Sequence, residues 1–401
     1  MRTAPADAAY LYVTGAPSAG HLPGGPMRRC ALSAGILLAA AVLAGTAMTS
    51  AEHRASDDRL QTGLDDTVKA AEVPGAQLVL TVGDRTTRIN SGVGDIGTRA
   101  AFPDHAQVRI ASNTKSFVAA VMLQLVGEGR IDLDSPVERY LPGVVHGPGG
   151  DGNVITVRNL LQHTSGIPDY FSDLHLDSVD ALQRSQPIEA LIRMGLDKPA
   201  SFAPGAKSSY SNTNYLLAGQ LVQQVTGNPI GAEVTNRILV PLGLHDTYWP
   251  SYPAESVLRG AHARAYDQFS SGLVDITDID PGWGLPDGAM VSTGDDLNSY
   301  FMALLSGHVL APAQLAEMQH TVPSGDARRK DDFGLGLFHW TTSCGLQAWG
   351  HDGTMNGTFV YGGATADRSV TVSMNKIPNL FGARSRNIDL TRVVDSALCS
   401  S

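Results

Sequence analysis

Ser112 and Lys115 lie three residues apart and could perform nucleophilic chemistry together. On a helix, this spacing places both side chains on one face. A serine hydroxyl becomes a nucleophile when a base removes its proton, and a lysine can be that base when burial or nearby cations lower the pKa of its ammonium group. The same pattern recurs at Ser373 and Lys376 in a strand-like segment, where positions three apart face opposite sides. The first pair is therefore the better candidate for acyl transfer.

Two further short patterns offer groups that acyl transfer needs. Tyr210 and Asn212 precede a predicted helix; the phenol could relay a proton and the carboxamide could bind a substrate amide, although a capping turn also explains them. His351 and Gly353 follow a β-rich run, where a glycine lets a substrate backbone approach and the next N–H groups can face an oxyanion. A plain turn is the alternative there. The order of the three patterns favours one composite site.

The elements around these patterns predict how the chain would position them. Two extended runs flank a turn at Gly83 and Asp84, which indicates a hairpin. Apolar residues at helical spacing follow Ser112 and stop at Gly127. Short helices and loops then continue to Trp283. Beyond it, two helices and a final helix bracket strand-like runs at 333–340, 346–350, 358–364 and 370–375.

Strand-rich segments at both ends of the chain enclose this helical middle. The order predicts an α/β fold of the α+β type: an antiparallel sheet built from both termini and flanked by helices, with a mainly helical lobe inserted. We expect one hydrolase domain over residues 52–401. Its sheet lobe should comprise about 52–111 and 283–401, and its helical lobe about 112–282.

Residues 1–51 form an N-terminal extension with the pattern of an export signal. Arg28 and Arg29 precede an apolar run over 31–48, which is typical of a secretory signal peptide. An uncleaved membrane anchor is the alternative. Met27 stands directly before the arginines and is a candidate for the true translation start. We therefore expect a secreted protein that acts outside the cytoplasmic membrane.

Composition and charge narrow the function further. The 401 residues are 43% hydrophobic and 17% charged, enough for a large core. The net charge is −10, and removing residues 1–51, which carry +2, leaves −12, which argues against a nucleic-acid partner. The same removal leaves Cys344 and Cys399, which would pair in an oxidising compartment; two buried thiols are the alternative.

Other catalytic signatures are missing from the sequence. It contains no Gly-x-Ser-x-Gly elbow, no His-Glu-x-x-His motif and no Gly-x-x-x-x-Gly-Lys loop. Metal and nucleotide chemistry therefore lose support.

Together, the three patterns resemble the Ser-x-x-Lys, Tyr-x-Asn and Lys/His-x-Gly elements of the serine β-lactamase and penicillin-binding superfamily. The resemblance is closest to secreted D-alanyl-D-alanine carboxypeptidases and class C β-lactamases. It implies an acyl-enzyme, with Ser112 attacking and Lys115 and Tyr210 managing protons. The N–H groups of Ser112 and Thr354 would form the oxyanion hole. It extends over roughly residues 60–400, including segments at 123–129, 140–143, 163–166, 204–205 and 300–307.

The resemblance also implies roles for the remaining candidate residues. Asn212 would orient the substrate amide, His351 would supply the positive or hydrogen-bonding function often given by lysine, and Trp283 would form an aromatic wall. Cys344 and Cys399 match the positions of a family disulfide. No cofactor, metal or protein partner is implied. Expected ligands are small peptides, amides or esters, including peptidoglycan stem peptides, and β-lactams as acylating ligands.

Two departures from the family pattern concern carboxylate recognition. Asp352 stands where the family has Thr or Ser, and Phe338 and His339 stand where carboxypeptidases of this type have an Arg. If Asp352 faced away, or if His339 supplied a positive charge, carboxylate binding would survive. The leading hypothesis is a D-alanyl-D-alanine carboxypeptidase-like peptidase. The alternatives are an esterase or a D-aminopeptidase/amidase of this fold, then a β-lactamase, and, in another class, a non-catalytic β-lactam-binding or wall-binding module.

Overall fold

A computed structural model describes residues 54–325, 331–376 and 391–400. The expected signal segment and the candidate start at Met27 lie outside these residues. Within the described ranges, every helix falls short of the length and apolarity that a membrane crossing requires. The lobe boundaries stay a prediction.

Most strands lie toward the two ends of the chain, and most of the chain between them forms helices and loops. The strands are β1 (Gly75–Val82), β2 (Arg85–Gly92), β3 (Val108–Arg109), β4 (Tyr266–Phe269), β5 (Gly272–Asp275), β6 (Val291–Ser292), β7 (Val322–Pro323), β8 (Asp332–Phe333), β9 (Phe338–Thr341), β10 (Gln347–Met355), β11 (Thr358–Ala364) and β12 (Arg368–Met374). The helices are α1 (54–71), α2 (Thr114–Gly127), α3 (Val157–Leu161), α4 (Val179–Leu182), α5 (Ile188–Leu196), α6 (Thr213–Thr226), α7 (Ile230–Val234), α8 (Val240–Leu242), α9 (Gly294–Leu305), α10 (Pro312–Met318) and α11 (Thr391–Leu398).

The main sheet joins strands from both ends of the sequence. Its order is β2-β1-β12-β11-β10-β9-β8-β7, and the neighbouring strands are antiparallel. The early strand β1 pairs with the late strand β12, with Leu78 opposite Val372. The predicted α+β architecture, with a sheet built from both termini and flanked by helices, is confirmed.

Helices cover both faces of this sheet, which explains why the first six residues of β1 are all buried. On one face, Leu64 of α1 and Val394 of α11 pack in one core with Leu78 and Val372. On the other face, α2 and α9 belong to the larger core that extends into the helical region. Strands buried on both faces lose the simple apolar–polar alternation. The helix α2 is itself enclosed by protein and nearly all of its residues are buried, so the residues at its start have a rigid support.

Three local expectations differ from the structure. The run predicted as one strand at 333–340 forms two separate strands, β8 and β9. The sequence prediction ends the strand before His351, whereas β10 continues to Met355 because pairing with β11 holds this glycine-containing stretch extended. The region predicted as helix and loop also contains the hairpin of β4 and β5. Its turn uses Gly272 at a φ of +118°, a backbone conformation that glycine adopts easily.

Cys344 and Cys399 form a disulfide with their Cα atoms 5.8 Å apart. Cys344 lies between β9 and β10, and Cys399 follows α11 directly. The bond therefore ties the C-terminal helix to the sheet. The predicted pairing is confirmed, and the alternative of two buried thiols is wrong.

Removing this disulfide should lower the free energy of unfolding. For its sequence separation of 55 residues, the chain-entropy account gives a loss of about 4 kcal/mol. The check is denaturant unfolding of the Cys344→Ser/Cys399→Ser variant against the oxidised protein, with the reduced wild type as a control that should match the variant. Equal unfolding free energies for all three proteins would contradict the expectation.

Candidate active site

Ser112 lies in a single 3₁₀ turn, Ala111–Asn113, that leads directly into α2. Ala111, the residue before Ser112, has a φ of +46°. This left-handed conformation is unfavourable for any residue that carries a side chain. The Asn113 amide holds the turn, since its Nδ2 donates to the Ile110 carbonyl at 3.0 Å and to the Val360 carbonyl of β11 at 3.3 Å. The serine is thereby fixed relative to the sheet.

The Lys115 amine contacts three oxygens. Its Nζ lies 3.0 Å from Ser112 Oγ, 2.8 Å from Asn212 Oδ1 and 2.5 Å from the Asp287 carbonyl oxygen. The oxygens of Asn212 and Asp287 can only accept hydrogen bonds, whereas the serine hydroxyl can also donate. When the amine is neutral, its two N–H groups satisfy the two acceptors and its lone pair faces the hydroxyl of Ser112. This arrangement suits Lys115 as the base for the serine.

Burial sets the protonation of this amine. Lys115 is fully buried, and burial lowers its pKa to about 8, although the negative charges of Asp287, Asp169 and Asp352 raise it. An appreciable fraction of the amine is therefore neutral near neutral pH. The sequence argument allowed burial or neighbouring cations as the cause; in the structure the cause is burial.

Tyr210 stands beside this pair as a neutral phenol. Burial raises its pKa well above its ordinary value, with the nearby Ser112 hydroxyl acting in the opposite direction. Lys115 Nζ lies 5.1 Å from the centre of the Tyr210 ring. Since the phenol keeps its proton at neutral pH, Tyr210 is suited to relay a proton rather than to remove the first one.

His163 supports Tyr210 and was not among the predicted site residues. Its ring stacks on that of Tyr210 with a centroid distance of 4.3 Å, and its Nδ1 accepts the Ser211 N–H at 3.2 Å. These contacts hold the loop that carries Tyr210. The signal for His163 in the sequence was its place in the His-Thr-Ser-Gly segment at 163–166.

Asp169 fixes the orientation of Asn212. Its Oδ1 accepts the Asn212 backbone N–H and its Oδ2 accepts Asn212 Nδ2, both at 3.1 Å. The Asn212 oxygen is thereby aimed at Lys115. Asn212 was predicted to orient a substrate amide; both ends of its carboxamide are bound within the protein, so the structure shows it holding Lys115, and the role toward substrate stays a prediction.

Asp287 completes the surroundings of the amine from the opposite side. Its carbonyl accepts from Lys115 Nζ, and its carboxylate accepts the Tyr170 hydroxyl at 2.9 Å. Burial raises the pKa of both Asp287 and Tyr170. Neither residue belongs to a short motif, so the sequence analysis missed them.

The acid limb of the pH–rate profile should report the Lys115 amine and depend on Asp169. Below the Lys115 pKa of about 8, the fraction of the amine that is neutral increases with pH. The value of kcat/KM should therefore rise with pH and reach a plateau above that pKa. The charge of Asp169 raises this pKa; Asp169→Asn should therefore move the limb to lower pH and, by loosening Asn212, lower the plateau.

The matched control for this prediction is Asp173→Asn. Asp173 is exposed and pairs with Lys198 at 2.7 Å on the surface, so its removal should leave the profile in place. A purely structural role of Asp169 would lower the rate at every pH without moving the limb, and that result would contradict the assignment.

The third pattern lies along an open strand edge. The pairing of β9 with β10 ends at Phe338 opposite Gly350, so in the described ranges β10 has no strand on that side from His351 onward. A side chain at Gly353 would come within 2.2 Å of the Ile110 carbonyl oxygen, which shows that the strand touches the turn carrying Ser112. Thr354 is the next residue along that strand. The oxyanion hole of Ser112 and Thr354 stays a prediction.

His351 and Asp352 lie beside the tyrosine. The buried His351 ring stacks on Phe338 at 4.1 Å and lies 6.2 Å from the Tyr210 ring. Asp352 Oδ1 lies 3.9 Å from His351 Nδ1, and its side chain is 24% exposed. Its charge raises the pKa of both Lys115 and Tyr210. A negative charge therefore acts on the site.

His339 turns away from this group. Phe338 packs on His351, and the next residue of a strand points to the other face of the sheet. His339 contacts Trp349, with ring centroids 4.4 Å apart, and its Nε2 lies 2.7 Å from Gln347 Oε1. It does not supply a positive charge beside Phe338.

Trp283 has most of its contacts elsewhere. Its indole N–H donates to the Leu182 carbonyl at 2.7 Å, and the ring borders a cleft whose lining includes none of Ser112, Lys115, Tyr210 or His351. Its role as an aromatic wall for the substrate stays a prediction.

Comparison with known proteins places this arrangement in a family. Residues 60–393 match the Beta-lactamase family. The chain belongs to the β-lactamase family. It has the serine β-lactamase fold, and the Ser-x-x-Lys resemblance is confirmed at the level of the superfamily.

The solved structures that this chain matches over nearly their whole length include two enzymes that act on D-amino acid compounds or are named for D-stereospecificity. A D-stereospecific amidohydrolase from Streptomyces sp. is 34% identical, with a TM-score of 0.76, and the match covers 85% of this chain and 98% of that one. A D-amino acid amidase from Ochrobactrum anthropi SV3, complexed with D-phenylalanine, is 27% identical with a TM-score of 0.74, over 86% and 98% of the two chains.

Sequence relatives in the same family include a penicillin-binding protein. Penicillin-binding protein 4 of Amycolatopsis lactamdurans is 29% identical over 313 residues, which are 72% of this chain and 77% of the relative. The chain spans about half the length, 48%, of the curated Staphylococcus aureus relatives that it matches.

Proposed function

We propose that this hydrolase cleaves amide bonds of D-amino acid derivatives that carry a free α-amino group, through an acyl-enzyme on Ser112. The observation that carries the proposal is Asp352, a carboxylate close enough to act on Lys115 and Tyr210. It stands where the family has a hydroxyl. A negative charge there attracts a substrate ammonium group and repels a carboxylate.

The chemical step follows from the contacts around Ser112. Its Oγ bonds to the substrate carbonyl carbon as its proton passes to the neutral amine of Lys115, 3.0 Å away. The C–N bond then breaks, and the leaving nitrogen takes a proton that Tyr210 relays from Lys115. Water attacks the ester in the second half, with the proton transfers reversed, and releases the acid and free Ser112. The predicted oxyanion donors of Ser112 and Thr354 would favour both halves by stabilising the charge that develops on the carbonyl oxygen.

The surroundings of Asp352 support an ammonium group over a carboxylate. A carboxypeptidase must hold the free carboxylate of its peptide with a cation, and carboxypeptidases of this type place an Arg on this part of the sheet. Here Phe338 is buried against His351, and His339 faces the other side. The site therefore favours substrates whose charged end is an amine.

Similarity to D-specific enzymes supports the choice of configuration. Two of the similar structures carry the names D-stereospecific amidohydrolase and D-amino acid amidase. The first of them shares 34% of its residues with this chain. We carry the preference for D-residues over to this chain as part of the proposal.

A second candidate is a D-alanyl-D-alanine carboxypeptidase acting on peptidoglycan stem peptides. It is favoured by the similarity to penicillin-binding protein 4 over 77% of that protein. The two candidates share the acyl-enzyme and differ in which end of the substrate is charged. A substrate pair therefore separates them.

The deciding experiment compares D-phenylalanine amide, its N-acetyl derivative, the L-enantiomer and a peptide ending in D-Ala-D-Ala. We expect the D-amide with a free amine to have the highest kcat/KM. Asp352→Asn should lower kcat/KM for this substrate about 10- to 100-fold, since a hydrogen bond to a charged group contributes roughly 1.5–3 kcal/mol. The N-acetyl derivative should change little, and the ratio of the two substrates cancels any effect on Lys115.

The matched control is Asp104→Asn, which removes an exposed carboxylate elsewhere on the surface. It should leave the substrate ratio unchanged. Preferential release of D-alanine from the D-Ala-D-Ala peptide would move the assignment to the second candidate. Fast turnover of esters alone, or of β-lactams, would move it to an esterase or a β-lactamase, and failure of every substrate and acylating reagent to modify Ser112 would favour the binding module.

We also propose that the protein acts outside the cytoplasmic membrane. The disulfide of Cys344 and Cys399 supports this location, because such bonds persist in oxidising compartments. Fractionation of producing cells tests it: the mature protein should be recovered outside the cytoplasm, free if the signal is cleaved and in the membrane fraction if it is retained.

A further inference from the structure

A second concave site lies beside the helical part of the molecule. It has a volume of about 1240 Å³ and is lined by the start of α5, by α6 and α7, and by the segments 249–252 and 283–286. We call it the aromatic–amide cleft. None of Ser112, Lys115, Tyr210 or Asn212 lines it. What binds in this cleft therefore does not depend on which leaving group Ser112 releases.

Aromatic rings of the cleft are held in place by the protein. The Trp249 indole N–H donates to the Gly284 carbonyl at 3.1 Å, and a side chain at Gly231 would come within 2.7 Å of Trp249 Cγ, so this glycine lets the ring lie against α7. Tyr252 is partly exposed nearby. Because the Trp249 N–H is satisfied within the protein, this ring offers its apolar face to a ligand.

Side-chain amides supply the polar part of the lining. Glu189 is the one charged residue among the described residues of the cleft, and Gln220 Nε2 lies 3.4 Å from its Oε1. Each carboxamide offers both donors and acceptors. A ligand matched to this lining is uncharged and carries many groups that donate and accept. The amide side chains are Gln186, Gln220, Gln223, Gln224 and Asn236.

We propose that the aromatic–amide cleft binds a neutral chain of sugar units. A sugar ring presents an apolar C–H face to an aromatic ring and hydroxyl groups to amides around it, which matches both parts of the lining. An anionic ligand would lack a counter-charge in the cleft, a cationic one would compete with Gln220 for the Glu189 carboxylate, and an apolar one would bury the amides without partners. An extended peptide strand would need a sheet edge, whereas helices and loops line this cleft.

The size of the cleft fits more than one sugar ring. Pockets for single drug-sized ligands span about 300–1,000 Å³, and this cleft exceeds that range at about 1240 Å³. One of its walls, 283–286, leads directly to Asp287, whose carbonyl accepts from Lys115. A sugar chain in the cleft would therefore lie along the segment that leads to Asp287, the residue whose carbonyl accepts from Lys115.

The test is calorimetric titration of the full protein with the trimer of N-acetylglucosamine. We expect saturable binding to the wild type. Gln220→Ala/Gln223→Ala should weaken it about tenfold or more, because each lost hydrogen bond contributes about 1 kcal/mol, and Ala232→Trp, which fills the cleft, should abolish it. Gln268→Ala removes an exposed amide on β4, outside the cleft, and should bind like the wild type.

Hydrolysis of the amide substrate and the unfolding temperature should be retained in the glutamine variants, which separates this proposal from the proposed function. Absence of saturable binding to the wild type would overturn the inference. The same affinity in wild type, Gln220→Ala/Gln223→Ala and Ala232→Trp would also overturn it, as would binding of a neutral proline-rich peptide in place of the sugar trimer.

Discussion

Ser112→Ala should reduce amide hydrolysis about a thousandfold or more, because loss of the nucleophile removes the covalent route and leaves only binding and oxyanion stabilisation. The hydroxyl is held by a strained turn and lies 3.0 Å from the Lys115 amine. Of the three oxygens that the structure describes in contact with Lys115 Nζ, only that of Ser112 belongs to a hydroxyl. The measurement is single-turnover and steady-state hydrolysis of the D-amide, with mass spectrometry of the protein after exposure to a fluorophosphonate or a penicillin.

Ser373→Ala provides the matched control, because Ser373 begins the second Ser-x-x-Lys match. Ser373 lies in β12, opposite Gln77, and Lys376 Nζ donates to the Glu72 carbonyl at 3.4 Å rather than facing the serine. This variant should keep wild-type rates and should still be acylated at Ser112. Labelling of Ser373 in the Ser112→Ala protein would contradict the assignment of the nucleophile.

Lys115→Met should reduce kcat/KM about 10²- to 10⁴-fold, the range expected for loss of a general base. It should also remove the acid limb of the pH profile, since that limb reports the amine whose pKa burial lowers to about 8. Methionine keeps an apolar chain of similar length in the enclosed helix α2. Lys115→Arg is the second variant, because a guanidinium group keeps the positive charge but cannot lose its proton.

Tyr210→Phe distinguishes the lysine from the phenol. Burial holds the Tyr210 phenol in its protonated form at neutral pH, so this variant should slow turnover and keep the limb near pH 8. Full activity of Lys115→Arg, or disappearance of the limb in Tyr210→Phe alone, would make the phenol the base.

The main features of the site followed from local patterns. Helical spacing predicted that Ser112 and Lys115 meet, and strand spacing argued against Ser373 and Lys376; the contacts of both lysines agree with these predictions. The order of strand-rich and helix-rich segments was enough to predict a sheet from both termini. These features depend on the spacing of residues along the chain, which can be read directly from the sequence.

What escaped prediction depends on contacts between distant segments. Asp169 and Asp287 surround Lys115 only because the folded chain brings their loops to α2, and neither stands in a recognisable motif. The extension of β10 through Gly353 depends on its pairing with β11. Tertiary partners decided these features, and local propensity carries little information about them.

The pairing of β1 with β12 also determines when, during synthesis of the chain, the main sheet can form. Gly75 donates to the Asn375 side chain across 300 residues of chain, so the centre of the sheet closes only after residue 375 has been synthesised. Contacts so far apart in sequence form slowly. The turn at Ser112 is held by a hydrogen bond to Val360 of the late strand β11. In a growing chain that has not yet reached β11, this support of the nucleophile is missing. Hydrolytic activity should therefore appear only after β11 has joined the sheet, and not when α2 alone has formed.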